Sequence, residues 1–65
     1  MNNDANTMVL LGCPGLYKCI RKDKYERYIT NARDYIRIDA DNHDDAMITI
    51  QHNFPTMEIE DRASA

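Results

Sequence analysis

The chain has 65 residues, 43% of them hydrophobic, and a formal net charge of −3. A chain of this length forms one domain with a thin core, because it buries only about 60% of the surface that its unfolded form exposes. This size argues against a large cofactor pocket, and the sequence has no nucleophile elbow or P-loop. We therefore expect a protein that is not an enzyme and that holds neither a cofactor nor a metal.

No apolar stretch of the sequence is long enough to cross a membrane. The longest apolar run is residues 8–11, whereas a transmembrane helix needs about 20 residues. The first six residues are polar and carry no Lys or Arg, unlike a secretory signal peptide. We expect a cytoplasmic protein in which Cys13 and Cys19 are reduced, half-buried thiols.

The first third of the chain predicts strands joined by a turn. Residues 7–11 form a continuous apolar run that is typical of a buried strand. Residues 12–15 contain two glycines and a proline, which predicts a turn. Residues 16–22 fit a helical face and an alternating strand equally well, and we favour the strand.

Residues 23–33 predict the main helix. Asp23 can cap the first turn, and Glu26 follows three residues later, as in a capping box. Apolar residues recur with helical spacing at Tyr25, Tyr28, Ile29 and Ala32. A helix of about three turns is not stable alone, so it must pack on a sheet.

The second half of the chain predicts a β-hairpin followed by a third strand. Residues 35–40 and 46–52 alternate between apolar and polar side chains, with Ile48 and Ile50 facing inward in the second run. The short polar residues 41–45 between them favour a turn. Residues 56–61 alternate again and follow Pro55, a residue tolerated where a strand begins.

Together these elements predict an α+β fold. The expected architecture is an antiparallel β-sheet of three to five strands with one short α-helix packed on it. We expect a single domain at residues 7–61 between disordered tails at residues 1–6 and 62–65.

The charges are distributed unevenly along the chain. Up to Arg33 there are six basic and three acidic residues, and from Asp34 onward there are two basic and eight acidic residues, giving local balances of +3 and −6. On the expected hairpin and third strand, most of the later carboxylates share one solvent-facing side. Such an array attracts a basic surface over about 8–10 Å at physiological salt.

This acidic side is the predicted partner-binding surface. A charged surface also keeps a small protein soluble, but clustered like charges destabilise a thin-cored domain more than mixed charges would. The predicted contact residues are Asp39, Asp41, Asp44, Asp45, Glu58, Glu60 and Asp61.

Other motifs carry weaker signals. Asp39-x-Asp41-x-His43 begins like a calcium loop, but Asp44 stands where that loop needs glycine. The cysteines and histidines do not have zinc-site spacing. We interpret His43 as a solvated turn residue and His52 as a partly buried residue on the inward side of its strand.

The chain resembles the small inhibitors of phages and mobile elements in its size, its acidity and its lack of enzymatic signatures. It is similar to anti-CRISPR proteins of type I systems, some of which act as DNA mimics. The resemblance implies an inhibitor that binds, as a monomer, a positively charged DNA-binding site of a CRISPR-Cas surveillance complex and blocks recognition of target DNA. Its location would be the host bacterial cytoplasm.

Two alternative functions remain open. The basic segment at residues 18–27 could bind nucleic acid as a small regulator, with cations on phosphates and tyrosines on bases. Its cations are Lys18, Arg21, Lys22, Lys24 and Arg27. Alternatively, an antitoxin-like protein could pair with its partner through an exposed strand edge.

Overall fold

The computed structural model describes residues 4–27 and 30–64 and contains a sheet with helical segments on both faces. A 3₁₀ turn at Asp4–Asn6 leads into β1 (Thr7–Leu11), which is followed by β2 (Tyr17–Arg21) and α1 (Lys22–Arg27). After a second 3₁₀ turn at Ala32–Asp34, the chain forms β3 (Ile36–Ile38), α2 (His43–Asn53) and β4 (Glu58–Asp61).

The sheet has four strands in the order β3-β2-β1-β4. β2 runs antiparallel to both of its neighbours, whereas β4 runs parallel to β1. The expected α+β class is confirmed, but the expectation of a purely antiparallel sheet is wrong. The reason is the connection through α2, which carries the chain from one edge of the sheet to the other; a parallel pairing needs such a crossover.

The first two strands form as expected, and residues 16–22 are resolved in favour of a strand. The turn between these strands depends on Gly12, whose φ is +95°. A Cβ at this position would lie 2.2 Å from the backbone oxygen of Leu16, so only glycine fits without a shift of the backbone.

The expected long helix at residues 23–33 is shorter in the structure. α1 ends at Arg27, and a separate 3₁₀ turn begins at Ala32, where Asn31 and Asp34 form a capping box. Tyr28 and Ile29, two residues of the expected apolar helix face, lie outside the described residues.

The expected hairpin at residues 35–52 is wrong, because its second strand is the helix α2. Asn42 caps this helix: its side-chain oxygen accepts a hydrogen bond from the backbone N–H of Asp45 at 2.9 Å. The helical period buries Ala46 and Ile50 on one face, so Ile48 is 60% exposed and not inward as expected.

α2 packs on one face of the sheet and buries most of the core there. Each strand contributes alternate residues to this face, as its period of two requires. The buried members are Met8, Leu10, Tyr17, Cys19 and Ile38 from the sheet with Ala46 and Ile50 from α2. Ile36 is also on this face but is 45% exposed at the sheet edge.

The opposite face of the sheet is covered near its centre by α1 and the first 3₁₀ turn. Val9 and Ile20 face each other across β1 and β2 on this side, and both are fully buried. α1 contacts both strands, which explains the burial of Val9 and Ile20.

The longest described helix, α2, has 11 residues. None of the helices in the described ranges could span a membrane.

Paired substitutions in α2 test its helical register. Ile50→Ala should lower the free energy of unfolding by about 2–5 kcal/mol, because it leaves a cavity in the core. Ile48→Ala, the matched control, should change it by less than about 0.5 kcal/mol, because its side chain is mostly exposed. Urea denaturation measures both values, and equal losses would support the alternating strand instead.

The two cysteines should differ in reactivity. Both are free; Cys13 is partly exposed, whereas Cys19 is fully buried between the sheet and α2. Burial raises the pKa of Cys19 to about 11, which disfavours the reactive thiolate. In the native protein a disulfide reagent should label Cys13 promptly and Cys19 only as fast as the protein unfolds. Equal rates for the two thiols would contradict this packing.

Candidate interaction site

Five of the seven predicted contact carboxylates lie at one end of the sheet. The end of β3, the start of β2 and the ends of β1 and β4 meet there, because β2 is antiparallel to β1 and β3 and β4 is parallel to β1. This "acidic end" consists of Asp39, Asp41, Asp44, Asp45 and Asp61, all of them exposed.

The start of α2 positions two of these carboxylates. Asp44 and Asp45 lie in the first helical turn, where the helix dipole favours negative charge. Asp45 also accepts a hydrogen bond from the Asn42 amide at 3.4 Å, which holds the cap in place. The helix terminus therefore accounts structurally for this pair, but it does not require the carboxylates on β4 and after β3.

A chain of side chains joins the acidic end to the core. The Tyr17 hydroxyl lies 3.4 Å from Nδ1 of His43, and Nε2 of His43 lies 3.4 Å from Oδ1 of Asp61. The two rings meet edge to face, with centroids 5.5 Å apart. Burial, together with the nearby charges of Asp61 and Cys13, raises the pKa of Tyr17, which keeps its hydroxyl protonated. These contacts fix the start of α2 against β4.

The remaining two predicted contact residues do not belong to the acidic end. Glu58 and Glu60 point to the face opposite α2, because they alternate along β4 with Ile59, which packs in the core. Glu60 is bound by Lys22 at 2.7 Å and by Arg62. Glu58 is exposed and contacts no cation within the described part of the chain.

The cations of the basic segment mostly pair within the molecule. Arg21 lies 2.5 Å from Asp23, and Lys24 lies 3.4 Å from Asp34. With the Lys22–Glu60 pair, three of the five cations of residues 18–27 form ion pairs inside the molecule. Lys18 is different, since its ammonium lies 4.5 Å from the centroid of the Tyr35 ring.

The two histidines do not lie where the sequence interpretation places them. His43 is not a solvated turn residue but the first residue of α2, half-buried against Tyr17. His52 is exposed near the end of α2 and is not on the inward side of a strand. The signal that identifies this helix start is Asn42 with Asp45 three residues later, an N-cap with an acidic first turn.

In the described ranges, no three His, Cys, Asp or Glu side chains lie close enough to hold a metal ion. The carboxylates of the acidic end are therefore separated from one another, because they lie after β3, in the first turn of α2 and at the end of β4. Comparison with protein families, with curated proteins and with solved structures finds no match to this chain.

The Glu60 cluster should make stability depend on pH. Hydrogen bonds from Lys22 and Arg62 lower the pKa of Glu60, and a backbone hydrogen bond from Asn31 lowers the pKa of Asp34. A carboxyl group with a lowered pKa stabilises the fold above its unfolded pKa, and this contribution is lost as pH falls through the folded value. We expect the free energy of unfolding to fall as pH decreases below about 4.5.

The matched variants Glu60→Gln and Glu58→Gln test this assignment. Glu60→Gln should lower stability at neutral pH and weaken its acid dependence, because it removes an ion-paired carboxylate. Glu58→Gln makes the same charge change at an exposed position and should leave both quantities close to those of the original chain. Urea titrations at neutral and acidic pH measure the difference. Identical profiles for the two variants would contradict a specific role for Glu60.

Proposed function

We propose that this chain is a protein-binding inhibitor whose acidic end occupies a basic, DNA-binding surface of another protein. The observation that carries the proposal is the segregation of charge within the fold. Away from this end, Glu60 pairs with Lys22 and Asp34 pairs with Lys24, and Glu58 is the exception among the described residues. The acidic end has few cations to neutralise it.

The local charge balance supports this interpretation. Within the described residues, Arg37 and His43 are the groups of opposite or potentially opposite charge that contact the acidic end. The Arg37–Asp39 pair is 3.4 Å apart with side chains 79% and 90% exposed, so solvent screens it strongly. Asp41 and Asp44 contact no cation in the part of the chain that the structure describes.

The spacing of the carboxylates supports mimicry of a nucleic-acid backbone. Neighbouring strands are about 4.8 Å apart, so four strands spread the acidic end over about 14 Å. DNA carries one negative charge per about 1.7 Å of helix axis when both strands are counted, and a protein surface that binds it displays several Lys or Arg side chains. An acidic surface of this width can occupy part of such a site and exclude the phosphates.

Rigidity also favours the acidic end as a binding surface. The contacts of His43 with Tyr17 and Asp61 hold the start of α2. In the loop between β3 and α2, the carbonyl of Ala40 accepts a hydrogen bond from the backbone N–H of Gly15 at 3.2 Å. Carboxylates on a held scaffold lose less conformational entropy on binding than carboxylates on a mobile tail. The partner that the sequence resemblance suggests is the DNA-binding site of a type I CRISPR surveillance complex.

A triple variant tests this function. Asp39→Asn/Asp41→Asn/Asp44→Asn keeps side-chain shape and leaves the Asn42–Asp45 cap intact, but it removes three charges from the acidic end. With a purified type I surveillance complex and labelled target DNA, the original chain should inhibit DNA binding, and inhibition should weaken as salt rises. The triple variant should need at least about tenfold more protein for the same inhibition.

Glu58→Gln is the control for this assay, because Glu58 is an exposed carboxylate outside the acidic end. It should inhibit as well as the original chain does. Absence of inhibition by the original chain, or equal inhibition by the triple variant and the control, would contradict the proposed function.

A further inference from the structure

The two outer strands of the sheet carry opposite charges on the face opposite α2. At one edge, Arg37 of β3 lies beside Lys18 of β2 in the strand register. At the other edge, Glu58 and Glu60 of β4 lie beside Thr7 and Val9 of β1. The β3 edge therefore carries two cations, and the β4 edge carries two carboxylates, of which Glu60 is paired with Lys22 and Arg62 and Glu58 contacts no cation in the described part of the chain.

The basic edge contains a like-charge pair that is unfavourable in the isolated chain. Lys18 and Arg37 are direct cross-strand partners, and like charges at such positions repel. Arg37 is 79% exposed, and its contact with Asp39 is a solvated pair. An anionic group at this edge would remove the repulsion.

A groove beside this pair gives a ligand room to lie against the edge. Its volume is about 240 Å³, and it combines two apolar side chains, two tyrosines and the two cations. Its lining is formed by Leu16, Tyr17, Lys18, Ala32, Tyr35 and Arg37. Leu16 is 70% exposed, so an incoming chain segment would also cover apolar surface there.

The α2 side of the same edge is apolar. Ile36 points to that side from β3 and is 45% exposed, so a strand added at this edge would cover its apolar side chain. A strand that pairs with β3 should therefore carry acidic residues on one side and apolar residues on the other. This chain contains such a strand in β4, where Glu58 and Glu60 alternate with the half-buried Ile59.

We propose that β4 of one copy pairs with the β3 edge of a second copy, so that the sheet continues from one molecule into the next. Glu58 then lies on the side of Arg37 and Lys18, and Ile59 lies on the side of Ile36. The match requires the parallel direction. β3 and β4 run the same way in the sheet, so a copy that keeps α2 on the same side pairs in parallel, whereas an antiparallel copy would be turned over and would place Glu58 beside Ile36.

The charges also determine which edges can meet. Two β3 edges repel each other, as do two β4 edges, whereas β3 and β4 attract. The contact is therefore heterologous, and repetition of it produces a chain of molecules and not a closed pair. With three residues in β3 and four in β4, the interface is small, so association should be weak and require high protein concentration. At low concentration the protein stays a monomer.

Charge reversal at the two edges tests the proposal. Sedimentation velocity of the full chain should show an average mass that rises above 7.6 kDa with concentration and that falls back when salt is added. Arg37→Glu and Glu58→Lys should each weaken association by about tenfold, because each places like charges across the junction. An equimolar mixture of the two variants should associate again, because each junction between unlike variants joins opposite charges.

The control is Asp44→Lys, which makes the same charge change as Glu58→Lys in the first turn of α2, outside β3 and β4. It should leave self-association unchanged while impairing the acidic end, so the two proposals can fail separately. Constant monomer mass at all concentrations would overturn the edge pairing. So would a plateau at twice the monomer mass, loss of association in the control, or failure of the mixed variants to recover.

Discussion

The packing of α2 across one face of the sheet is the constraint on which the rest of the structure depends. Ala46 and Ile50 anchor this helix on the core residues of β1, β2 and β3. The connection through α2 carries the chain from β3 at one edge of the sheet to β4 at the other, and β4 joins the sheet beside β1 in the parallel direction. The same path brings the start of the helix to the end of the sheet where β4 finishes.

This path produces the acidic end from residues far apart in the sequence. Asp44 in the first turn of α2 and Asp61 at the end of β4 are brought to one end of the molecule, with His43 between the helix and the strand. Neither the helix nor the strand would create the array alone. The Tyr17–His43–Asp61 contacts couple this surface to the core, so loss of packing around Tyr17 would also loosen the surface.

Segregation of charge has two consequences in this fold. Lys22, Lys24 and Arg62 form ion pairs with carboxylates on and beside α1. These charges therefore largely cancel on the side of the sheet that α1 covers. The charges that are left unbalanced lie at the acidic end and at the two edges of the sheet. In a chain with so small a core, unbalanced charge reduces stability, and an external partner of opposite charge would relieve this cost.

The sequence predicted the first two strands, the turn at Gly12, a strand near residue 59 and the α+β class, because these depend on local patterns. It did not predict α2. In residues 46–52, Ile48 and Ile50 alternate as in a strand, whereas Ala46 and Ile50 are spaced as on one helix face, and short apolar patterns fit both. The capping signal at Asn42 and Asp45 favours the helix, but the same short polar residues also favour a turn.

The candidate site was predicted in part for the same reason. The predicted contact residues before, within and after α2 were identified by charge alone, and five of these seven carboxylates lie together at the acidic end. Glu58 and Glu60 were grouped with them because a hairpin would have placed all strand carboxylates on one side. Their true position follows from the parallel pairing of β4 with β1, a long-range contact that local sequence does not encode.

Nuclear Overhauser effects between backbone protons test the crossover through α2 most directly. The crossover predicts contacts between β1 and β4 in the parallel register, with Met8 opposite Ile59 and Val9 opposite Glu60, together with sequential amide contacts through α2. Cross-strand contacts between residues 35–40 and 46–52, in the pattern of an antiparallel hairpin, would contradict it.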